Sequence, residues 1–193
     1  QVNDLEKHVT EKRLDPGDYS LLEKAASQAY ANMPDGLFLE FGVYSGHTIN
    51  RISDTVPEAD IFGFDSFQGL PEKWRDFPQG TFNRRDLPKV NDNVKLIVGL
   101  FQDTLQNFLS IHNKPISFCH IDCDLYSSTK YVLTVLKNNF VDGSIISFDE
   151  LGYYQGYEEH EYRAFNEFLD ETGFKLEFIG KTHIESWTFK LVR

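Results

Sequence analysis

ISFCHIDCDLYSST (residues 116–129) and IISFDE (residues 145–150) are short apolar runs that break off in acid, Asp122 and Asp124 in the first and Asp149 and Glu150 in the second. Such a run reads as a buried parallel strand, because helices cover both faces and the polar alternation is lost. In open α/β sheets ligands bind beyond the carboxyl ends of the strands. Neighbouring strands lie about 4.8 Å apart. If these two are adjacent, their carboxylates converge at the functional edge and call for a cation.

Working outward, the same strand-then-helix rhythm recurs. LFLEF (37–41), DIFGF (60–64) and NVKLIVG (93–99) read as strands, and HTINRISDTV (47–56), TLQNFLSIHN (104–113) and residues 126–139 as helices. Residues 1–35 read as helical, with Ser20 as a cap, Glu23 three positions on, and a stop before Pro34 and Gly36. EEHEYRAFNEFLDETG (158–173) sets Ala164, Phe165, Phe168 and Leu169 on one helical face and ends at Gly173. FKLEFIG and ESWTFKLV close the chain as a hairpin. The pattern predicts an α/β, Rossmann-like doubly wound sheet with a final antiparallel pair, built as a single domain over 1–193. Residues 66–93 are rich in proline, glycine and aromatics without periodicity, and a loop of that length reads as a lid or acceptor-binding loop.

The chain has 193 residues, 40% hydrophobic and 25% charged, which suits one globular domain with a substantial core. Its net charge of −11 argues against nucleic acid and anionic membrane as partners. No apolar run approaches the ~20 residues that span a bilayer. The cysteines, Cys119 and Cys123, sit four residues apart on one expected strand. At about 3.3 Å per residue they are too distant to pair, so both read as reduced thiols in a cytoplasmic protein.

The first strand runs into Glu40-Phe41-Gly42-Val43-Tyr44-Ser45-Gly46 and then a helix. A dinucleotide fingerprint would want glycine at 42, 44 and 47, and Tyr44 and His47 occupy two of those places, so a nicotinamide cofactor is disfavoured. S-adenosylmethionine (SAM) fits better, with its zwitterionic tail at Glu40 and along the turn from Gly42 through Tyr44 to Gly46. Asp65, at the end of the second strand, suits the ribose hydroxyls. Gln102, in GLFQD, would border the adenine. His120 alternates with Asp122 along its strand and reads as a packing residue. Asp124 precedes a helix and reads more readily as its N-cap than as a ligand.

These segments, LEFGVYSGHTINRI, FGFDSFQGLPEKW, VGLFQDTL, HIDCDLYSSTKYVL and FDELG with EHEYRAFNEF, together resemble the macrocin O-methyltransferase family of class I SAM-dependent methyltransferases. The resemblance spans about residues 37–190. It implies a seven-stranded sheet in the order 3-2-1-4-5-7-6 and metal-dependent methylation of a sugar hydroxyl. It places Asp122, Asp149 and Glu150 at the metal-ligand positions, and these hard oxygens suit Mg²⁺. The metal would orient the acceptor and acidify its hydroxyl. Related enzymes carry a lysine base after the first metal aspartate; here Cys123, Asp124 and Leu125 follow, leaving Asp122, Asp124 and His160 as candidate bases. Relatives also carry N-terminal helices over the cofactor, so the resemblance implies either that part of this lid lies outside the given sequence or that a neighbouring subunit of a homo-oligomer supplies it. The expected partner is a small-molecule hydroxyl acceptor. Two rival readings are a metal-independent methyltransferase and a non-catalytic SAM-binding scaffold.

Overall fold

A computed structural model describes residues 18–182 and 185–193. The helical expectation for residues 1–17 lies outside the described residues. The elements, in chain order, are α1 (Ser20–Asn32), β1 (Leu37–Phe41), α2 (His47–Thr55), β2 (Ile61–Asp65), β3 (Val94–Val98), α3 (Phe101–Ile111), β4 (Ile116–Ile121), α4 (Tyr126–Leu136), β5 (Ile145–Phe148), α5 (Glu161–Thr172), β6 (Lys175–Thr182) and β7 (Ser186–Val192). A short 3₁₀ turn, Tyr157–Glu159, precedes α5.

The strands form one sheet in the order β3-β2-β1-β4-β5-β7-β6. All neighbouring pairs are parallel except those made by β7, which runs antiparallel to β5 and to β6. β1, β4 and β5 are buried along their whole length, which is why they read as unbroken apolar runs. Within them the side chains still alternate between faces. Leu39, Phe41, Cys119, Ile121, Ile146 and Phe148 pack with Leu105, Phe108, Val132, Leu136, Ala164 and Phe165 of α3, α4 and α5. Phe38, Ile61, Phe118 and Ile145 face Leu22, Ala25, Ala29, Ile49 and Ile52 of α1 and α2.

Several boundaries differ from the sequence reading, α5 starting at Glu161 and α4 ending at Leu136 among them, and two bear on Ser20 and Gln102. Ser20 is the first helical residue of α1 rather than its cap; Tyr19 holds the cap position, and Asp18 Oδ1 accepts the Ser20 N–H at 2.9 Å. α3 begins at Phe101, three residues earlier than expected, so Gln102 lies in its first turn.

Residues 66–93 link β2 to β3 and contain one isolated bridge, Trp74 to Phe77. Trp74 is buried and, with Leu70, packs against Leu125 and Tyr154 beyond the ends of β4 and β5. The segment therefore crosses the carboxyl edge of the sheet instead of trailing into solvent.

Candidate active site

Register builds the site. Ile121 of β4 pairs with Phe148 of β5, so Asp122 and Asp149 leave the two strands side by side. The Asp122 N–H reaches Phe41 O at 2.8 Å, and the Asp149 N–H reaches Ile121 O at 3.0 Å. Carboxylate oxygens of Asp122, Asp149 and Glu150 lie within 4.8 Å of one another. Ser186 Oγ, at the start of β7, donates to Asp149 O at 2.7 Å and to its Oδ1 at 3.3 Å.

Asp124 does not cap α4. Leu125 holds that position, no side chain caps the helix, and Asp124 adopts a left-handed φ of 64°. That conformation brings its carboxyl beside Glu150, where the two acids influence each other's titration. Burial and the neighbouring Asp149 push Asp124 up to about 7, and burial, Asp149 and Asp124 push Glu150 up to about 10. Asp122 is raised as well, by burial and then by Asp149 and Glu150. Crowded carboxylates resist sharing negative charge in a site of low dielectric.

These raised values bear on stability. An acid held above its ordinary value of about 4 binds its proton more tightly folded than unfolded. Its contribution is complete below that ordinary value and is lost as pH rises through the folded pKa, about 7 for Asp124 and about 10 for Glu150. In EDTA, the melting temperature is therefore expected to fall as pH rises from about 5 to about 8. A saturating divalent cation should offset the loss, and its effect should grow with pH. Calorimetry with and without EDTA checks this; a metal-free melting temperature that rises over that interval would contradict it.

The glycine turn sits against the same strand ends. Gly42 has φ 90°, and a Cβ there would stand 1.7 Å from Asp122 O. Its first duty is thus to let the end of β1 pass the end of β4. Gly42 also lines a cavity of about 620 Å³, with Tyr44, Asp65, Gln102, Trp74, Asp122, Asp124 and Glu150. Asp65 Oδ2 accepts the N–H of Val43 and Tyr44 at 2.9 and 2.8 Å, and its Oδ1 accepts that of Phe67 at 2.7 Å. The carboxylate fixes the turn while one lone pair of Oδ1 stays available.

Two of the residues expected at the cofactor, Glu40 and Gly46, are not on the lining of that cavity. Glu40 is fully buried and outside the cavity lining, because β1 and β4 set it abreast of His120. Its Oε2 lies 2.8 Å from His120 Nδ1, and Thr48 Oγ1 donates to its Oε1 at 3.1 Å. Burial raises Glu40; burial opposes the charged form of His120, yet the bond and charge of Glu40 carry that residue upward. Gly46 caps α2 at φ 78°, and a Cβ there would meet Pro88 and Val90 of the long segment at 3.2 and 3.3 Å. Gly46 seats the loop.

His160, a candidate base, lines neither cavity; its ring lies against that of Tyr154, with centroids 6.2 Å apart. The 3₁₀ turn ends there, and α5 starts one residue later. A second cavity of about 220 Å³ lies between α1 and the ends of β4, β5 and β7. Asp149 borders this smaller cavity and Glu150 borders both. The carboxylate cluster thus stands as the partition between two hollows.

Sequence reasoning missed Glu161. It is the first residue of α5, yet fully buried, and its Oε1 faces the turn after β4. Its spacing with Ala164, Phe165 and Phe168 puts it on the apolar stripe, and an acid on such a stripe was the available signal.

A sheet of seven strands in this order, with its one reversed strand inserted next to the edge, is the Rossmann-like fold of the methyltransferase structures described next. A family model described as a methyltransferase domain matches residues 39–151, and the chain belongs to that family. No curated protein matches the chain in sequence. Among solved structures, the chain is similar to CalS11, a calicheamicin methyltransferase, with a TM-score of 0.72 and 22% identity over 98% of this chain and 83% of that one. It is similar also to the O-methyltransferase NovP, with a TM-score of 0.67 and 19% identity over 90% and 79%. A putative caffeoyl-CoA O-methyltransferase from Staphylococcus aureus gives 0.56 and 12% over 100% and 97%. At these identities the likeness is one of fold. No described helix is long and apolar enough to cross a membrane.

Proposed function

We propose that the chain is a Mg²⁺-assisted O-methyltransferase that uses SAM to methylate a hydroxyl of a small molecule, a sugar or glycoside. The observation that carries this reading is the trio Asp122, Asp149 and Glu150, whose oxygens lie within 4.8 Å of one another, with Asp122 and Glu150 on the lining of the cavity that reaches Asp65 and Gln102. The donor set fits the cation: the oxygens are hard, and Glu150 Oε2 is buried without a hydrogen-bond partner among the described residues. The turn fits the cofactor, because Gly42, Tyr44, Asp65 and Gln102 line one continuous wall. The resemblance to the macrocin O-methyltransferases supports the sugar acceptor. So does the description of CalS11 as a TDP-rhamnose 3'-O-methyltransferase.

When bound, SAM supplies an electrophilic methyl group and Mg²⁺ supplies charge that acidifies an acceptor hydroxyl. The protein's own residues do the rest. Asp65 and Gln102 orient the nucleoside end, and Asp122, Asp149 and Glu150 would hold the cation. Leu70 and Trp74 of the long segment wall off the acceptor half of the cavity and exclude water. Asp124 stands on that wall with its carboxyl near neutrality, so its ionised oxygen can take the hydroxyl proton at working pH. On position it is a better base than His160. Asp122 serves as base only where it gives up ligation.

A second reading is favoured by the crowding of Asp122, Asp149 and Glu150 beside Asp124, since acids raised as far as Asp124 and Glu150 keep protons that let such a cluster persist without a cation. Chelation separates the two. Calorimetric titration should show SAM binding with and without Mg²⁺. Methyl transfer to a panel of glycosides and nucleotide sugars should vanish in EDTA and return with excess Mg²⁺. Turnover that survives EDTA selects the metal-independent enzyme, and absence of SAM binding in either condition rejects both readings.

A further inference from the structure

The β4 to α4 turn carries two of the site's acids, Asp122 and Asp124, on either side of Cys123. Its backbone is unusual: Asp124 holds a left-handed φ of 64°, and the Leu125 N–H folds back to Cys123 O at 2.6 Å. A turn bent this way leaves the successive N–H groups of Cys123 and Asp124 aimed in one direction, a concavity that attracts an anion. Glu161 fills it. Its Oε1 accepts the Cys123 N–H at 3.3 Å and the Asp124 N–H at 3.1 Å. The Thr129 hydroxyl lies 3.4 Å from the same oxygen, and Cys123 Sγ is 3.3 Å from that hydroxyl.

Glu161 is a costly choice for this place. A glutamate opening a helix ordinarily stays in solvent, where it complements the helix dipole. This one is wholly buried, and its Oε2 has no hydrogen-bond partner among the described residues. A leucine would fill the same space against Ala164 and Phe165 with no polar atom to desolvate. What the carboxylate provides is the clamp on two consecutive peptide groups. Those peptides set the directions in which Asp122 and Asp124 leave the chain. Glu161 lines neither cavity.

We propose that Glu161 is a positioning residue: from α5 it locks the turn after β4 so that Asp122 meets Asp149 and Glu150. The proposal rests on the reading of that trio as a divalent-cation site. The SAM half of the cavity, at Asp65 and Gln102, belongs to β2 and α3 and lies outside the reach of the clamp.

The test uses the whole chain and three variants, Glu161→Leu, Glu161→Gln and Glu161→Asp. Leucine removes the acceptor, glutamine keeps an acceptor oxygen at full reach, and aspartate keeps the carboxyl group but withdraws it by one methylene. Mn²⁺ and SAM are titrated separately by calorimetry, and amide exchange is followed at Cys123 and Asp124. In the leucine and aspartate variants, Mn²⁺ affinity should drop by about tenfold to 100-fold, as for residues that orient metal ligands. Exchange at the two amides should quicken while SAM affinity stays within about threefold, on the scale where a tenfold change is 1.4 kcal/mol. Glutamine should restore both the Mn²⁺ affinity and the protection. If the leucine variant does not fold, the contrast between aspartate and glutamine decides the matter in its place. Unchanged Mn²⁺ affinity in the leucine or aspartate variant overturns the proposal. So does equal loss of Mn²⁺ and SAM binding, or failure of glutamine to restore. Absence of Mn²⁺ binding by the unaltered chain would instead refute the cation site, and amide exchange would still show whether Glu161 holds the turn.

Discussion

Asp149→Asn is expected to abolish divalent-cation binding and to slow methyl transfer by at least ~100-fold, while leaving the fold and SAM affinity nearly intact. The magnitude follows from the cost of losing even an outer partner of a metal ligand, about 10- to 100-fold. Removing a ligand should cost more. The substitution is close to isosteric, and the Ser186 Oγ bonds to Asp149 O and Oδ1 survive it, since an amide oxygen accepts as a carboxylate does. The surroundings of β5 therefore have little reason to move. Asp149 is the cleanest of the three acids to change, because Asp122 adjoins the glycine turn and Glu150 borders both cavities. Calorimetric titration with Mg²⁺ and with SAM, beside a methyl-transfer assay, reads all three quantities. Wild-type turnover in Asp149→Asn would remove the basis for a metal-assisted reaction.

Gly42→Ala should be the most damaging change to stability. Its Cβ would lie 1.7 Å from Asp122 O and 2.7 Å from Asp122 C, both backbone atoms tied into the sheet edge. The Gly42 N–H is itself bonded to Phe64 O at 3.0 Å, so β1 cannot back away without breaking its contact with β2. A left-handed φ alone costs roughly 1–2 kcal/mol for alanine. The collision should bring the loss to about 3 kcal/mol or more, within the range reserved for strained or overpacked positions. Gly143→Ala is the matching control. It too has a positive φ, 92°, but a Cβ there meets nothing within 4 Å. Urea unfolding of the two variants separates strain from collision, and equal midpoints would show that the close approach of β1 and β4 is not limiting. SAM binding should be lost in Gly42→Ala and kept in Gly143→Ala.

The architecture was legible because its central strands are buried on both faces and announce themselves as unbroken apolar runs. The acids that end two of those runs marked the site for the same reason: a polar residue directly after ISFCHI or IISF can only stand at the sheet edge. What could not be read was register. Nothing local to Glu40 says that His120 lies abreast of it 80 positions later, with Nδ1 against its carboxylate. Asp124 looked like a helix cap because the residues after it are good first-turn residues; its positive φ, at a peptide whose N–H meets Glu161, takes it out of the cap position. Glu161 was hidden by habit, as an acid at a helix start is ordinarily assigned to solvent. Its place on the stripe of Ala164 and Phe165 argued otherwise.

The reversed strand has a consequence of its own. Had β7 run parallel to β5, its first residue would lie at the far rim of the sheet, about a strand length from the chemistry. Running antiparallel, with Trp187 abreast of Phe148, it delivers Ser186 and Glu185 beside Asp149. The Leu151 N–H, just past the acidic pair, is bonded to Glu185 O at 2.8 Å, and the Glu185 carboxylate meets Arg75 of the long segment at 3.3 Å. One inverted strand thus recruits the carboxy-terminal hairpin as a third wall of the site. Substitutions at Glu185 or Ser186 can retune the acidic pair from outside, leaving every strand end that forms the pair in place.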